Sequence, residues 1–387
     1  MYAVKPWGKV ILVGSGVEMY ALGIGMRWRE SNVLLVEKQA DPSYELTNRR
    51  RCVLTSQTVK ILKDLGCTTA KVEGILQRPR GWRFVSPNLE IMREGSTFPG
   101  CADGEATYQC TEGVLLRTLR TEFLRFGGDI SWGTEAFDAF ESGDGSGTWS
   151  LRKMYGLETE AEAIITTANE TSFTPLLIAD DPDRLAVLFD EETGVLPGEG
   201  KLAEKIFGTS DVVIVIGSKI VVHMWYIDGV ITWRAIRRAQ KDVQGIDTPD
   251  FHPFLREVFQ GSTNKLSRVR IIPATTPAIK DSAAHAKVSV LGDGLLPIDP
   301  FEWRGDRARC GIEEASVLCR AFYGKKYHRG NVPRLLREVE QDALARRAAA
   351  LARDLRDAEH FLSSQPVIDA MHHEYVQQNE ILSLTTR

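Results

Sequence analysis

The chain has 387 residues, 43% of them hydrophobic and 26% charged, which is the make-up of a globular protein long enough for two or three modules. Its 48 lysines and arginines against 52 aspartates and glutamates leave a net charge of -4, which speaks against a protein that coats nucleic acid. No run of about 18 apolar residues is present, so no membrane-spanning helix is expected.

Lys9–Val13 is a short apolar run ending in Gly14-Ser15-Gly16, a helical stretch follows to about Glu30, and Val33–Glu37 is a second buried-strand run. Ser56–Leu65 reads as a helix stopped by Gly66. Gln77–Gly100 is rich in Arg, Pro, Trp and Phe and has no helical period. Gly113–Phe126 is helical again, with Leu115, Leu116, Leu119, Phe123 and Leu124 on one side. The glycine-rich run Glu141–Gly147 lies between strand-like segments and reads as a hairpin tip, and Ala163–Thr167 is a further strand. Asp211–Ile216, Ile220–Ile227 and Val230–Ile236 are β-branched and aromatic runs, the last two joined by Asp228-Gly229; they predict three antiparallel strands. Phe251–Gln260 is a short helix, Val288–Leu291 a buried strand, and Ile312–Tyr323 a helix. Leu336, Leu344, Ala348, Leu351, Leu355, Ala358 and Leu362 form the stripe of a long amphipathic helix, which docks either on its own domain or on a partner.

A strand, a glycine-rich turn and a helix make a dinucleotide-binding arrangement. Gly14 serves the tight turn, Gly16 lets the backbone approach a pyrophosphate, and the helix N-terminus favours its charge. Glu37 ends the second strand, where a carboxylate accepts hydrogen bonds from both hydroxyls of an adenosine ribose. The position of the third glycine holds Met19 instead. Glu18 adds a carboxylate to the first turn; at ~6 Å and an effective dielectric of ~20, one such charge pair repels by roughly 3 kcal/mol, less where solvent reaches it.

The six cysteines, Cys52, Cys67, Cys101, Cys110, Cys310 and Cys319, form no C-x-x-C pair, and none has a histidine at zinc-ligand spacing. Reduced buried thiols and no metal site are expected. His223 reads as a sheet histidine, His372-His373 as a solvated pair, and Arg234, Arg237 and Arg238 as a solvated basic strand end. Trp225, Tyr226 and Trp233 serve either core packing or an aromatic ligand. No acid–base triad is visible, and no catalytic residue is assigned. The N-terminus has neither a secretory signal nor a recognisable transit peptide, so an intracellular protein, cytoplasmic or mitochondrial, is expected.

The Gly-x-Gly turn, Glu37, Arg50 and the run Leu54-Thr55…Ile61-Leu62…Leu65-Gly66 resemble the FAD-dependent aromatic hydroxylases, the class of 4-hydroxybenzoate hydroxylase and the ubiquinone-biosynthesis monooxygenases. Val288–Asp293 resembles the family's second FAD motif, and Pro300, Gly305 and Gly311-Ile312-Glu313-Glu314-Ala315 follow it. The resemblance implies an α/β fold: a Rossmann-like FAD-binding domain with a parallel sheet, an antiparallel-sheet substrate domain and C-terminal helices. Its boundaries would be 1–77, 101–179 and 286–325 for the FAD-binding domain, 78–100 and 180–285 for the substrate-type domain, and 326–387 for a helical extension. It implies FAD as cofactor and NAD(P)H as co-substrate. Gly14, Ser15 and Gly16 would hold the pyrophosphate and Glu37 the ribose. Arg50 would meet the pyrophosphate near the NADPH approach, Gly292 and Asp293 the ribityl chain, and Pro300 and Gly305 the flavin edge. Cys110 takes the place of a polar flavin contact.

Four places depart from the family pattern. Glu302-Trp303-Arg304 replaces a glycine-bearing flavin loop, Ala168–Ser172 lacks the Asp-Gly motif, Gly294-Leu295-Leu296 replaces a small-residue run, and Cys110 is the fourth. In this class the cofactor supplies the chemistry, and the protein positions substrate and excludes water. Two functions remain open. One is FAD-dependent hydroxylation of a small aromatic or quinone-like molecule. The other is a catalytically degenerate relative acting as a scaffold, assembly or binding subunit with a protein partner. Neither requires nucleic acid, and the oligomeric state is not readable.

Overall fold

The structure is a computed structural model that describes residues 8–96, 105–143, 147–167, 186–198, 200–217, 219–238, 250–273, 276–280, 286–298, 304–305, 307–324 and 331–362. In chain order its elements begin with β1 (Lys9–Val13), α1 (Val17–Arg27), β2 (Asn32–Val36), α2 (Tyr44–Thr47), β3 (Arg51–Thr55), α3 (Ser56–Asp64) and α4 (Thr69–Glu73). Next come β4 (Trp82–Val85), β5 (Ile91–Gly95), β6 (Thr107–Thr111), α5 (Glu112–Arg125), β7 (Asp129–Ser131), β8 (Ala136–Glu141), β9 (Trp149–Lys153), β10 (Glu158–Ala161) and β11 (Ala163–Thr166). Then follow β12 (Ala186–Pro197), α6 (Lys201–Phe207), β13 (Val212–Ile216), β14 (Val221–Ile227), β15 (Val230–Arg238), α7 (Pro253–Gly261), β16 (Thr263–Pro273), β17 (Val288–Val290), α8 (Arg307–Tyr323) and α9 (Val332–Leu362).

β1 is apolar from Val10 to Val13 because both of its faces are covered there. Val10 and Leu12 join α1, α5 and α8 in one core, while Ile11 and Val13 face a second core beneath the small sheet β10-β9-β8. The sheet around it runs β17-β11-β1-β2-β7, with every neighbouring pair parallel. The strands of 9–37 and of 288–293 are expected in one parallel sheet and lie there, although the last strand stops at Val290 and Gly292–Gly294 forms a 3-10 turn. A separate sheet of order β16-β12-β15-β14-β13-β4-β5 contains the three expected antiparallel strands; β4 joins β13 in parallel. The fold class is the expected α/β architecture.

α9 settles the question of its stripe. Leu336 and Val339 enter the core around α1, Ala343 the core under β1, and Leu351 and Ala358 the face of the seven-stranded sheet that carries Trp82, Ile214 and Trp225. The helix thus docks on its own chain and ties the two large sheets together. α8 begins at Arg307, five residues before the expected Ile312, and takes Gly311 into its first turns.

One long-range polar joint anchors α5. Glu122 is fully buried, and its carboxylate accepts from Thr68 N at 2.8 Å, Lys71 Nζ at 2.7 Å and Arg125 Nη2 at 2.9 Å. Burial pushes its pKa up, but the hydrogen bonds from Arg125, Lys71 and Thr68 win and hold it at about 2. A depressed carboxyl stabilises the fold above its unfolded value near 4.5, and that contribution is lost as pH falls towards 2. Glu122→Gln should therefore cost roughly 2–3 kcal/mol near neutral pH. The difference from wild type should shrink steadily in urea melts taken between those two pH values; a gap independent of pH would rule the assignment out.

Candidate cofactor track and ligand cleft

β1 delivers the chain to Gly14, whose φ of 101° is a left-handed conformation that a side chain resists. A Cβ there would also stand 2.9 Å from Thr167 Oγ1. Gly16 caps α1, its carbonyl accepting from Met19 N and Tyr20 N at 3.0 and 3.2 Å. The Ser15 hydroxyl hydrogen-bonds the Tyr44 phenol, whose pKa burial raises. Glu37 directly follows β2 and is mostly buried; its Oε1 accepts from Gln39 N at 2.8 Å. Met19, in place of the third glycine, is fully buried in the core around α1.

Glu18, in the first turn of α1, is shielded from solvent: it is 8% exposed. A Cβ built on Gly16 would lie 2.6 Å from Glu18 Oε1, one on Gly292 2.5 Å from the same oxygen, and one on Gly311 3.0 Å from Oε2. Three glycines from α1, the end of β17 and α8 thus wall a slot, and the Glu18 carboxylate fills it. Burial pushes this carboxyl up to about 7, with Arg307 opposing and Asp293 reinforcing the shift.

Asp293 is engaged as well. Its Oδ2 pairs with Arg307 Nε at 2.5 Å and its Oδ1 with Arg347 Nη1 at 3.3 Å. Arg347 reaches across from α9 and grips Glu314 twice, at 2.6 and 3.0 Å, while its Nη1 donates to Leu296 O at 2.8 Å. Burial alone would weaken the charge on Arg347, but Glu314 and Asp293 hold it protonated. Glu314 Oε2 in turn accepts from Gly292 N at 3.2 Å. Arg307 also faces Glu112 at 3.6 Å.

The fit of this fold's cofactor therefore differs along the track. At the adenosine end, Gly14 makes a left-handed turn and Glu37 directly follows β2, positions that a dinucleotide site would use. At the pyrophosphate and ribityl end, the residues do not fit FAD as they are arranged, because Glu18 fills the close-approach slot and Asp293 is held by two guanidinium groups. Arg307 and Arg347 escape the sequence reading, and Glu314 enters it only within the Gly311–Ala315 run, with no role. Arg347 left a trace, since it interrupts the apolar stripe between Leu344 and Ala348.

A cleft of about 560 Å³ opens where the loop after α2 meets the seven-stranded sheet. Arg49, Arg50, Trp225, Thr232, Trp233 and Arg234 are among its lining residues. Trp225 Nε1 donates to Arg49 O at 2.9 Å, tying the loop to the sheet. α5 supports the loop from behind: Gly113 N donates to Asn48 O at 3.1 Å, and a Cβ on Gly113 would collide with the backbone oxygens of Glu45 and Asn48. Arg234 is not on a solvated strand end. It is 1% exposed and pairs with Glu191 at 2.7 Å. Arg237 is half-buried against Asp190, and Arg238 is exposed.

Cys110 lies on β6 directly across from Cys52 on β3, and burial pushes its thiol up to about 12. It is not among the cleft-lining residues. His223 is buried in β14. Gly305 sits at φ 67° and accepts from Val53 N at 2.6 Å, and Arg304 turns towards Asp354 and Asp357 of α9. Pro300, Glu302, Trp303, Cys101, the 168–172 segment and His372-His373 lie outside the described residues. Among the described residues no group of His, Cys, Asp and Glu is arranged to hold a metal, and no helix is long and apolar enough to cross a membrane.

No protein-family model matches the chain, and no curated protein does. Solved structures do. Klebsiella pneumoniae HpxO, complexed with FAD and uric acid, superposes with a TM-score of 0.73 at 14% identity, over 95% of this chain and 92% of that one. CtdE, in complex with FAD and its substrate 4, gives 0.74 at 15% identity over 92% and 90%. A salicylate hydroxylase substrate complex gives 0.67 at 14% identity over 92% and 89%. The chain has the fold of the FAD-dependent aromatic hydroxylases, as its motifs imply.

Proposed function

We propose that this protein binds a small planar acid or phenol in the cleft and does not hydroxylate it, acting as a binding or assembly subunit of flavin-monooxygenase fold. The cleft carries the reading. Its volume of about 560 Å³ suits a small ligand. Trp225, 3% exposed, backs one wall, Arg234 is paired with Glu191, and Arg49 and Arg50 on the loop after α2 bring further basic side chains to the cleft for an anion. In the related structures, uric acid and substrate 4 are bound along with FAD. Loss of hydroxylation follows from the filled pyrophosphate end of the track.

A second reading is favoured by Gly14 and Glu37, which keep the adenosine end in order: FAD-dependent hydroxylation of an aromatic or quinone-like substrate with NAD(P)H and O₂. The domain boundaries given above, and Arg50 and Gly305 as cofactor contacts, belong to that reading.

One experiment separates the two. Tryptophan fluorescence is titrated with 4-hydroxybenzoate and salicylate, with benzyl alcohol as an uncharged control. Saturable quenching by the acids is expected, weakened at least about tenfold in the Arg49→Ala/Arg50→Ala double variant, as for loss of charge-assisted hydrogen bonds. NADPH consumption with FAD and O₂ that yields a hydroxylated product would establish the second reading. Absence of saturable binding would remove the first.

A further inference from the structure

We propose that Glu18, braced by Arg307, Asp293 and Arg347, closes the dinucleotide track from within, so that the chain folds without FAD and loss of the Glu18 side chain opens the track to it. This goes beyond what the cleft binds and is tested separately from it.

Space is the first argument. Glycines at the start of α1 and at the end of a strand let a ligand's phosphates approach the backbone. Here the atoms that approach Gly16, Gly292 and Gly311 belong to Glu18. Gly311 lies inside α8, where alanine would be the better helix former, and its missing side chain leaves room for Glu18.

Charge is the second. The groups acting on Glu18 are Asp293 after β17, Arg307 on α8 and Arg347 on α9; Glu314 on α8 pairs with Arg347, and Glu112 on α5 stands behind Arg307. That makes four carboxylates with two guanidinium groups, both already committed to carboxylates. An entering pyrophosphate would add negative charge to an acidic cluster. As Glu18 titrates near 7, the cluster should repel less below that pH.

Support is the third. α9 grips β17, the strand leading to Gly292 and Asp293, as well as the turn itself. Glu340 accepts from Val290 N at 3.0 Å, and Arg337 donates to Val288 O and pairs with Glu340. The strand end and turn that a cofactor would steady are therefore steadied by a helix of the same chain.

The test uses the full chain, purified without added flavin, and reads FAD binding by quenching of flavin fluorescence together with thermal unfolding with and without FAD. Wild type is expected to carry no flavin and to show no FAD-dependent shift in melting temperature at pH 8. Glu18→Ala should bind FAD at least about tenfold more tightly than wild type at pH 8. Glu18→Gln keeps the volume and removes the charge; it should bind better than wild type at pH 8 and no better at pH 6, and should lose the wild type's gain in affinity between those values. If Glu18→Ala fails to fold, the glutamine variant and the wild-type pH dependence still decide. Wild type that purifies with one flavin per chain would overturn the proposal. So would folded Glu18 variants that bind FAD no better than wild type at either pH.

Discussion

Arg347→Ala is expected to be among the most damaging single substitutions in the chain, lowering stability by about 3–5 kcal/mol. The arginine is 2% exposed, and so is Glu314, which it holds in two charge-assisted hydrogen bonds. Removing the guanidinium leaves a buried carboxylate without its counter-charge, frees one oxygen of Asp293 and strips the Leu296 carbonyl of its donor. The cost of leaving a buried charge unpaired outweighs that of the few methylenes removed. Arg347→Lys should fall between the two, because an ammonium restores the charge but cannot present the two-pronged fork. Arg346, the next residue, is the control: its pair with Asp342 at 2.9 Å is exposed on both sides, and Arg346→Ala should change stability by less than about 1 kcal/mol. Urea unfolding at constant slope measures all three. Equal costs for Arg346→Ala and Arg347→Ala would show that the buried network contributes nothing.

The same residue shows what the sequence makes legible and what it hides. The parallel sheet could be read because its strands are buried on both faces and their apolar character is nearly continuous, as in Val10-Ile11-Leu12 and Val33-Leu34-Leu35. The β14–β15 hairpin could be read because Asp228-Gly229 sits between two β-branched runs, with Asp228 at φ 54° and Gly229 at 73°. The start of α8 could not. Arg307-Ala308-Arg309-Cys310-Gly311 has no apolar period, and the glycine argues for a boundary; only the packing of Glu18 against it explains a glycine inside the helix. Glu18 itself was noticed as a charge in the wrong place, but its burial depends on β17, α8 and α9, which approach from more than 250 residues further along the chain. Gly14, Gly16 and Glu37 could be read from motif spacing, and Gly292 and Asp293 only from the resemblance to the family's second FAD motif. What occupies the track is a tertiary fact.

Arg234 and Glu191 provide the second large effect, and they also report on the cleft. Register explains why the pair was missed: Thr193 lies opposite Arg234, and Glu191 stands two residues further along β12, on the same face. β12 was not recognised as a strand, so nothing in the sequence offered Arg234 a partner. Both side chains are 1% exposed, and Arg234→Ala alone should cost about 3–5 kcal/mol, since it takes a buried counter-charge from Glu191. Replacing both partners by apolar groups of similar size, Arg234→Met with Glu191→Leu, removes the desolvation penalty together with the attraction. It should return stability to within about 1 kcal/mol of wild type, or above it. The double variant also separates structure from recognition. Because the pair is internally neutral, an aromatic acid held by Arg49 and Arg50 should bind it within about threefold of wild type, a difference of less than 1 kcal/mol. A double variant that is fully stable yet has lost the acid would show that Arg234 itself reads the ligand, and recognition would then have to be reassigned from the loop after α2 to the floor of the sheet.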